Sequence, residues 1–212
     1  MYKKIIFTTG GTGGHILPAI HLMSHFSEKN YEAILVTDHR GNNFIKNNLK
    51  FKSYILPTET PTNKKFFNKI LSFLFIFYSM LKSIVILKKE KPDLIFGFGG
   101  YVSFPISFVS KLFNIPLVIY ESNMILGRAN KILAPLSKKI FLSKKKIENY
   151  PEKYKLKTRY VGAIIDKKII SYKNITKNEN DNFSILVLGG SQGAEIFGDI
   201  IPPVIKMLKS QG

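Results

Sequence analysis

The chain contains no cysteine. That excludes a disulfide framework and any thiolate chemistry. Arginine is scarce as well: Arg40, Arg128 and Arg159 are the only three, and the other basic residues are lysine. Base readout favours the arginine fork, and no nucleic-acid motif is present, so nucleic acid is not an expected partner. Acidic residues are few, 14 against 32 Lys and Arg, which leaves a formal net charge of +18. Such an excess suits solvated lysine faces, acidic substrates or an anionic membrane surface, where each lysine contributes ~1 kcal/mol. The N-terminal apolar run is too short for a signal peptide, so the plain expectation is a cytoplasmic protein. No Lys-Ser or Lys-Thr follows any glycine cluster, which excludes a Walker loop.

What the chain does have is glycine at the ends of apolar runs. Residues 5–7 read as a buried strand, residues 10–14 (GGTGG) as a turn, and residues 16–26 as a helix. Glycines there let the backbone turn tightly and approach a ligand, and the helix start offers free N–H groups and a positive dipole end to phosphate. Pro18 reads as part of the first helical turn, where a missing N–H costs little. The design recurs with strand 93–96, turn 97–100 and helix 101–113, and again with strand 185–188 and turn 189–194. One such turn often does no more than reverse the chain. Three at strand ends lie where open parallel sheets bind ligands. The dinucleotide fingerprint G-x-G-x-x-G breaks at Ile16, although Asp38 ends the second strand-like run where a ribose-binding acid would stand. An oxidoreductase using a nicotinamide or flavin cofactor is therefore disfavoured but not excluded.

GGTGGHILPA (10–19), GFGGYVSFP (97–105), ESN with GRAN (121–123 and 127–130) and GGSQGA (189–194), in this order across essentially the whole chain, resemble the glycine loops of the MurG family. The resemblance implies an α/β fold: a Rossmann-like, doubly wound parallel sheet forming the N-terminal half of a GT-B glycosyltransferase. It implies inverting transfer of N-acetylglucosamine from UDP-N-acetylglucosamine to undecaprenyl-pyrophosphoryl-N-acetylmuramoyl-pentapeptide (lipid I), making lipid II for peptidoglycan. No cofactor and no protein-bound metal are expected. The implied location is peripheral, on the cytoplasmic face of the cell membrane, with other cell-wall synthesis proteins as possible partners.

Site residues follow position by position. Thr12, Gly13 and Gly14 match a loop beside the donor and acceptor phosphates. His15 matches a histidine near the reaction centre. It is a candidate general base, with phosphate or sugar contact the alternative; a helix N-terminus lowers an imidazole pKa and favours the neutral form. Gly99, Gly100 and Tyr101 form a second anion cradle for the acceptor pyrophosphate. Glu121 is the second catalytic candidate, orienting His15 or binding sugar hydroxyls, unless it caps the next helix. Asn123 matches a donor contact, Asn130 contacts substrate or packs, and Ser191 and Gln192 would meet the UDP pyrophosphate. His21, His25 and His39 read as ordinary helix or surface residues. Two positions differ from the family: Tyr120 stands where histidine is usual, and Asp166 where an arginine near UDP is usual. An acid there repels a diphosphate, so either Lys167 or Lys168 substitutes or donor affinity falls.

Alternation of strand-like and helix-like runs argues one doubly wound domain over residues 1–162, followed by a polar linker at 163–182 and the start of a donor-binding domain at 183–212. One strand and one helix cannot bury a core, so the chain reads either as a fragment, inactive alone, or as the acceptor-binding half of a split transferase that needs a partner chain. Residues 64–89 carry lysines at both ends of a Phe-rich apolar run broken by Lys82. That pattern suits a helix packed on the sheet whose front end touches a membrane.

Overall fold

The computed structural model describes residues 4–45, 51–58, 66–171, 185–189 and 195–210. Two units are compact by themselves, residues 1–171 and 172–212. In the first, seven strands form one sheet: β1 (Lys4–Thr8), β2 (Glu32–Thr37), β3 (Lys52–Ile55), β4 (Leu94–Gly97), β5 (Leu117–Glu121), β6 (Lys139–Leu142) and β7 (Thr158–Tyr160). Their order is β3-β2-β1-β4-β5-β6-β7, and every pair is parallel. Alternate residues feed two cores. Ile6, Ile34, Ile95, Ile119 and Ile140 face one side; Ile5, Phe7, Leu35, Phe96 and Val118 face the other. Burial on both faces explains why these strands read as unbroken apolar runs. The edge strands β3 and β7 lack such runs and are largely exposed.

Helices cover both faces: α1 (Gly13–Glu28), α2 (His39–Ile45), α3 (Phe66–Glu90), α4 (Ser103–Val109), α5 (Arg128–Leu133) and α6 (Lys167–Ser171). Because α1 begins at Gly13, Pro18 stands inside it rather than in its first turn. It costs the helix one hydrogen bond there. The run expected as one helix at 101–113 is α4 followed by a 3-10 turn, Ser110–Phe113, which ends at Asn114 in the left-handed conformation.

The helix α3 packs through a narrow face. Ser72, Ser79, Ser83, Ile86, Leu87 and Glu90 are buried. Small serines let the helix lie close, and they bond backbone: Ser79 Oγ donates to Pro57 O at 2.8 Å and Ser83 Oγ to Ser79 O at 2.6 Å. The opposite face leaves Leu71, Phe73, Leu74, Phe77, Tyr78, Leu81 and Val85 between 44% and 65% exposed. By length and composition alone, residues 71–90 could cross a membrane. Ile86 and Leu87 join the core cluster of the strand isoleucines, and Ser79 bonds the loop after β3, so the helix packs on the domain through this face.

Glu90 fastens the far end of α3. Its side chain is 2% exposed; Lys52 Nζ lies 2.7 Å away, Lys4 Nζ lies 3.4 Å away, and the Tyr54 hydroxyl donates to it. Burial alone would push this carboxyl up, but the hydrogen bonds from Lys52, Tyr54 and Lys4 outweigh it and lower it to about 2. A depressed carboxyl stabilises the fold above its unfolded value, and that contribution is lost as pH falls from 4.5 towards 2. Glu90→Gln is expected to cost roughly 1–3 kcal/mol at neutral pH, read as a lower urea midpoint. The deficit should vanish near pH 2 to 3, and an equal deficit at both pH values would show that charge is not the cause.

In the second unit, α7 (Glu195–Ser210) holds Pro202 and Pro203 within it. Ile196, Ile200, Val204 and Met207 lie at helical spacing and are 43% to 63% exposed. Residues 185–188 do not pair into a strand, contrary to the sequence reading. A strand needs a partner, and among the described residues the sheet strands all belong to the first unit. Ser191 and Gln192 lie outside the described residues, as do Lys64 and Lys65.

Candidate active site

The strand order reverses between β1 and β4, so the loops that follow them are neighbours at the carboxyl edge of the sheet. They touch backbone to backbone. Gly10 N donates to Gly99 O at 3.1 Å. Gly100 has φ +79°, and a Cβ placed on it would stand 2.8 Å from the Gly10 Cα. Both its dihedral and its contact require glycine.

Thr12 opens α1 in an extended conformation, with no side-chain cap on the helix start. The positive dipole end of α1 therefore lies at the carboxyl edge of the sheet, with the His15 and Ile16 amides already bonded to Thr12 O. Gly10, Gly11, Thr12, His15, Gly100 and Tyr101 line a cavity there of about 270 Å³. Gly13 and Gly14 form the first turn of α1 beside it. Among the sequence candidates, the structure thus brings Thr12, His15, Gly100 and Tyr101 to one cavity. Gly99 borders the His15 ring: a Cβ on Gly99 would lie 3.7 Å from His15 Cε1 and 3.4 Å from Asn130 Nδ2.

His15 is largely enclosed, and its Nδ1 is buried without a hydrogen-bond partner among the described residues. Desolvation lowers its pKa below the ordinary 6.5, with the nearby Glu121 charge acting weakly the other way. The ring is neutral at pH 7 and able to accept a proton.

Glu121, 1% exposed, ends β5 with both carboxylate oxygens engaged. Oε1 accepts from Asn123 N at 3.0 Å and Asn123 Nδ2 at 2.9 Å. Oε2 accepts from Gly127 N at 2.8 Å and Asn130 Nδ2 at 2.9 Å. The carboxylate thus organises its own 122–130 loop. Asn130 also donates to Tyr120 O at 3.1 Å, and its Oδ1 is buried without a partner among the described residues. Asn123 is exposed, with its amide turned back to Glu121. Arg128 Nη1 donates to the Tyr101 hydroxyl at 3.4 Å, which links this loop to the second glycine loop.

Several contacts escape sequence reasoning. Tyr120, where histidine is usual in the resembled family, is buried; its hydroxyl donates to Gly162 O at 3.1 Å and accepts from Ile164 N at 3.2 Å. It pins residues 162–164 to the sheet, and the compact first unit includes them. Asp166 faces His21, with Oδ2 3.8 Å from Nε2, and its Oδ1 accepts from Lys168 N at 2.9 Å to cap α6. Lys167, one of the two expected replacements for the arginine, pairs with Glu28 instead. Asp38 accepts from Gly41 N at 2.7 Å as the N-cap of α2, and from Gly11 N at 3.4 Å. That use of the carboxylate removes the main support for a ribose-binding acid. Its sequence signal is Asp three residues before a glycine amide, the spacing of a helix cap.

A family model described as the glycosyltransferase family 28 N-terminal domain matches residues 5–142. The chain belongs to glycosyltransferase family 28. The family 28 chain is 34% identical over 206 residues to a UDP-N-acetylglucosamine–N-acetylmuramyl-(pentapeptide) pyrophosphoryl-undecaprenol N-acetylglucosamine transferase of Pelagibacter ubique, covering 97% of this chain and 56% of that protein. A relative of the same name from Rickettsia canadensis is 37% identical over 207 residues, covering 97% and 57%. The family 28 chain thus spans a little over half the length of the curated relatives it matches. Among solved structures, MurG of Acinetobacter baumannii superposes with TM-score 0.74 at 22% identity, over 97% of this chain and 57% of that one. A UDP-GlcNAc 2-epimerase of Neisseria meningitidis superposes with TM-score 0.56 at 18% identity, over 81% and 50%. These likenesses identify the fold as the Rossmann-like N-terminal half of a GT-B enzyme.

Proposed function

We propose that the complete protein transfers N-acetylglucosamine from UDP-N-acetylglucosamine to the lipid I acceptor, with inversion, and that residues 1–171 hold the acceptor. The observation that carries this reading is the paired glycine crevice with neutral His15 at its edge. Glycine amides and the α1 dipole suit the acceptor pyrophosphate. His15 takes the proton of the acceptor hydroxyl as its oxygen attacks the anomeric carbon. The bond from that carbon to the UDP oxygen breaks, and UDP leaves with the bonding pair. Glu121 is then a positioning residue: it holds the 122–130 loop so that Asn130 stands beside His15. Donor contacts fall to the second domain, whose first residues include Ser191 and Gln192.

The test is product analysis on the chain completed to the length of its relatives, given UDP-N-acetylglucosamine and a soluble lipid I analogue. The acceptor should gain one N-acetylhexosamine as UDP is released. Conversion of the nucleotide sugar to its 2-epimer without acceptor would point to the epimerase neighbours and defeat the reading.

The exposed face of α3 supports a peripheral membrane location, since an acceptor carrying a polyprenyl chain is met at a bilayer surface. Lys82 sits 4.9 Å above the Tyr78 ring, and Lys88 and Lys89 end the helix. Apolar residues with lysine flanks suit an anionic interface. Replacing Phe73, Leu74 and Phe77 by Ser should reduce co-sedimentation with vesicles containing phosphatidylglycerol by at least about tenfold. Added salt should weaken only the lysine share. Unchanged vesicle binding by the triple variant would remove α3 as the membrane face. Phe75 is left out because it turns towards a cavity instead.

A further inference from the structure

The glycine crevice has a second compartment. Asp38, Arg40 and Thr58 line the cavity beside His15, and the same three residues line an adjoining cavity of about 240 Å³. The far wall of the second cavity is Leu56, Pro57 and Phe75. Across these shared residues the two adjoining cavities pass from the glycine loops and a guanidinium to aliphatic and aromatic carbon. Leu71 and Tyr78 flank Phe75 at one helical turn on α3, 44% and 49% exposed, so the apolar wall continues onto the open face of that helix.

Two groups between the compartments are poised for an anion. Arg40 Nη2 donates to Asp38 Oδ2 at 3.2 Å, and the Arg40 side chain is otherwise 68% exposed. Asp38 is itself 8% exposed and turned towards the Gly11 and Gly41 amides, so it steers the guanidinium while presenting little of its own charge. A guanidinium has five donors, which leaves a fork for phosphate oxygens. Thr58 Oγ1 is buried with no hydrogen-bond partner among the described residues, though it can donate to an oxyanion.

We propose that Arg40 and Thr58 bind the pyrophosphate of the acceptor, and that the Leu56–Pro57–Phe75 compartment takes the first isoprene units of its lipid on their way to the exposed face of α3. This rests on the acceptor reading above and assigns its lipid end. The occupant is an amphiphile with a diphosphate head, because neither compartment alone accounts for both a cationic fork and an apolar wall in one space. Arg40 selects the head, and Phe75 selects a prenyl tail over a bare diphosphate. Asp38 is a positioning residue for Arg40.

The experiment is calorimetric titration of the intact chain with farnesyl pyrophosphate and, separately, with inorganic pyrophosphate. The parent should bind the farnesyl compound at least about tenfold more tightly. Arg40→Gln should weaken both ligands by roughly 10- to 100-fold, and Arg40→Lys should recover part of the loss. Phe75→Ser should weaken the farnesyl compound alone. Unfolding midpoints of all variants confirm that the fold is intact. Equal binding by parent and Arg40→Gln overturns the assignment, as does a parent that fails to bind farnesyl pyrophosphate or does not prefer it to pyrophosphate. Transfer assays on the chain completed to the length of its relatives separate the two readings. Prenyl pyrophosphate binding through Arg40 with no sugar transfer would defeat the proposed activity and keep this site. Transfer with the acceptor KM unchanged in Arg40→Gln would defeat this site and keep the activity.

Discussion

His15→Ala should lower kcat for sugar transfer by about 10²- to 10⁴-fold, the range of a general base, while the acceptor KM changes little. A proton acceptor contributes chiefly in the transition state, so its loss falls on turnover. His15→Gln keeps a polar group of similar reach but cannot take the proton, and it should be nearly as inactive. Recovery of most activity by Gln would make His15 a binding group. The pH profile supplies an independent check. Desolvation holds the His15 pKa below 6.5, so the neutral, competent form persists through neutral pH. The acid limb of kcat/KM should therefore have its midpoint below 6.5, and it should disappear in a His15 variant assayed for residual rate. A midpoint above 7 would mean that the ring is mostly charged at neutral pH, where it could not act as the base.

Gly100→Ala should be nearly as damaging, by a different route. The added methyl meets the Gly10 Cα at 2.8 Å and its N at 2.9 Å, on a residue with φ +79°. Backbone cannot swing aside as a flexible side chain can, so β1 and β4 loops must part. The expected cost is about 2–4 kcal/mol of stability, from the left-handed backbone and the overlap together. Transfer should fall by at least about 10²-fold even in protein that remains folded, because the loops carrying Thr12 and Tyr101 are displaced. Urea melts and initial rates measured on the same preparation separate the two effects. A stable, active Gly100→Ala protein would mean that the loops do not meet as described.

These two residues differ in how far the sequence reveals them. His15 is legible because a histidine directly after a glycine turn, at a helix start, has few purely structural uses. Gly100 is legible as a turn residue, but the partner that makes it indispensable is Gly10, 90 positions earlier. Glu121 is visible as an acid at a strand end. Only the structure shows its oxygens committed to Asn123, Gly127 and Asn130, which is the ground for the positioning role proposed above. Arg40 and Thr58 carry no motif, since an arginine in a short helix and a threonine after a proline are common.

By itself, then, the order of residues determined the local alternation: apolar runs buried on both faces as parallel strands, glycines at their ends, helices after them, and a family resemblance carried by those turns. Periodicity and turn chemistry are short-range, and they survive in a linear reading. Tertiary structure decided which turns meet. The strands that neighbour β1 are β2 and β4, and the long helix α3 lies between β3 and β4 in the chain. That crossover brings Gly10 against Gly100, Asp38 under Gly11, and Phe75 beside Thr58. It also decided what the deviant residues do: Tyr120 ties down Gly162 and Ile164, and Asp166 caps α6 and faces His21. Such contacts depend on strand order and packing geometry, and neither is written in the spacing of residues along one chain.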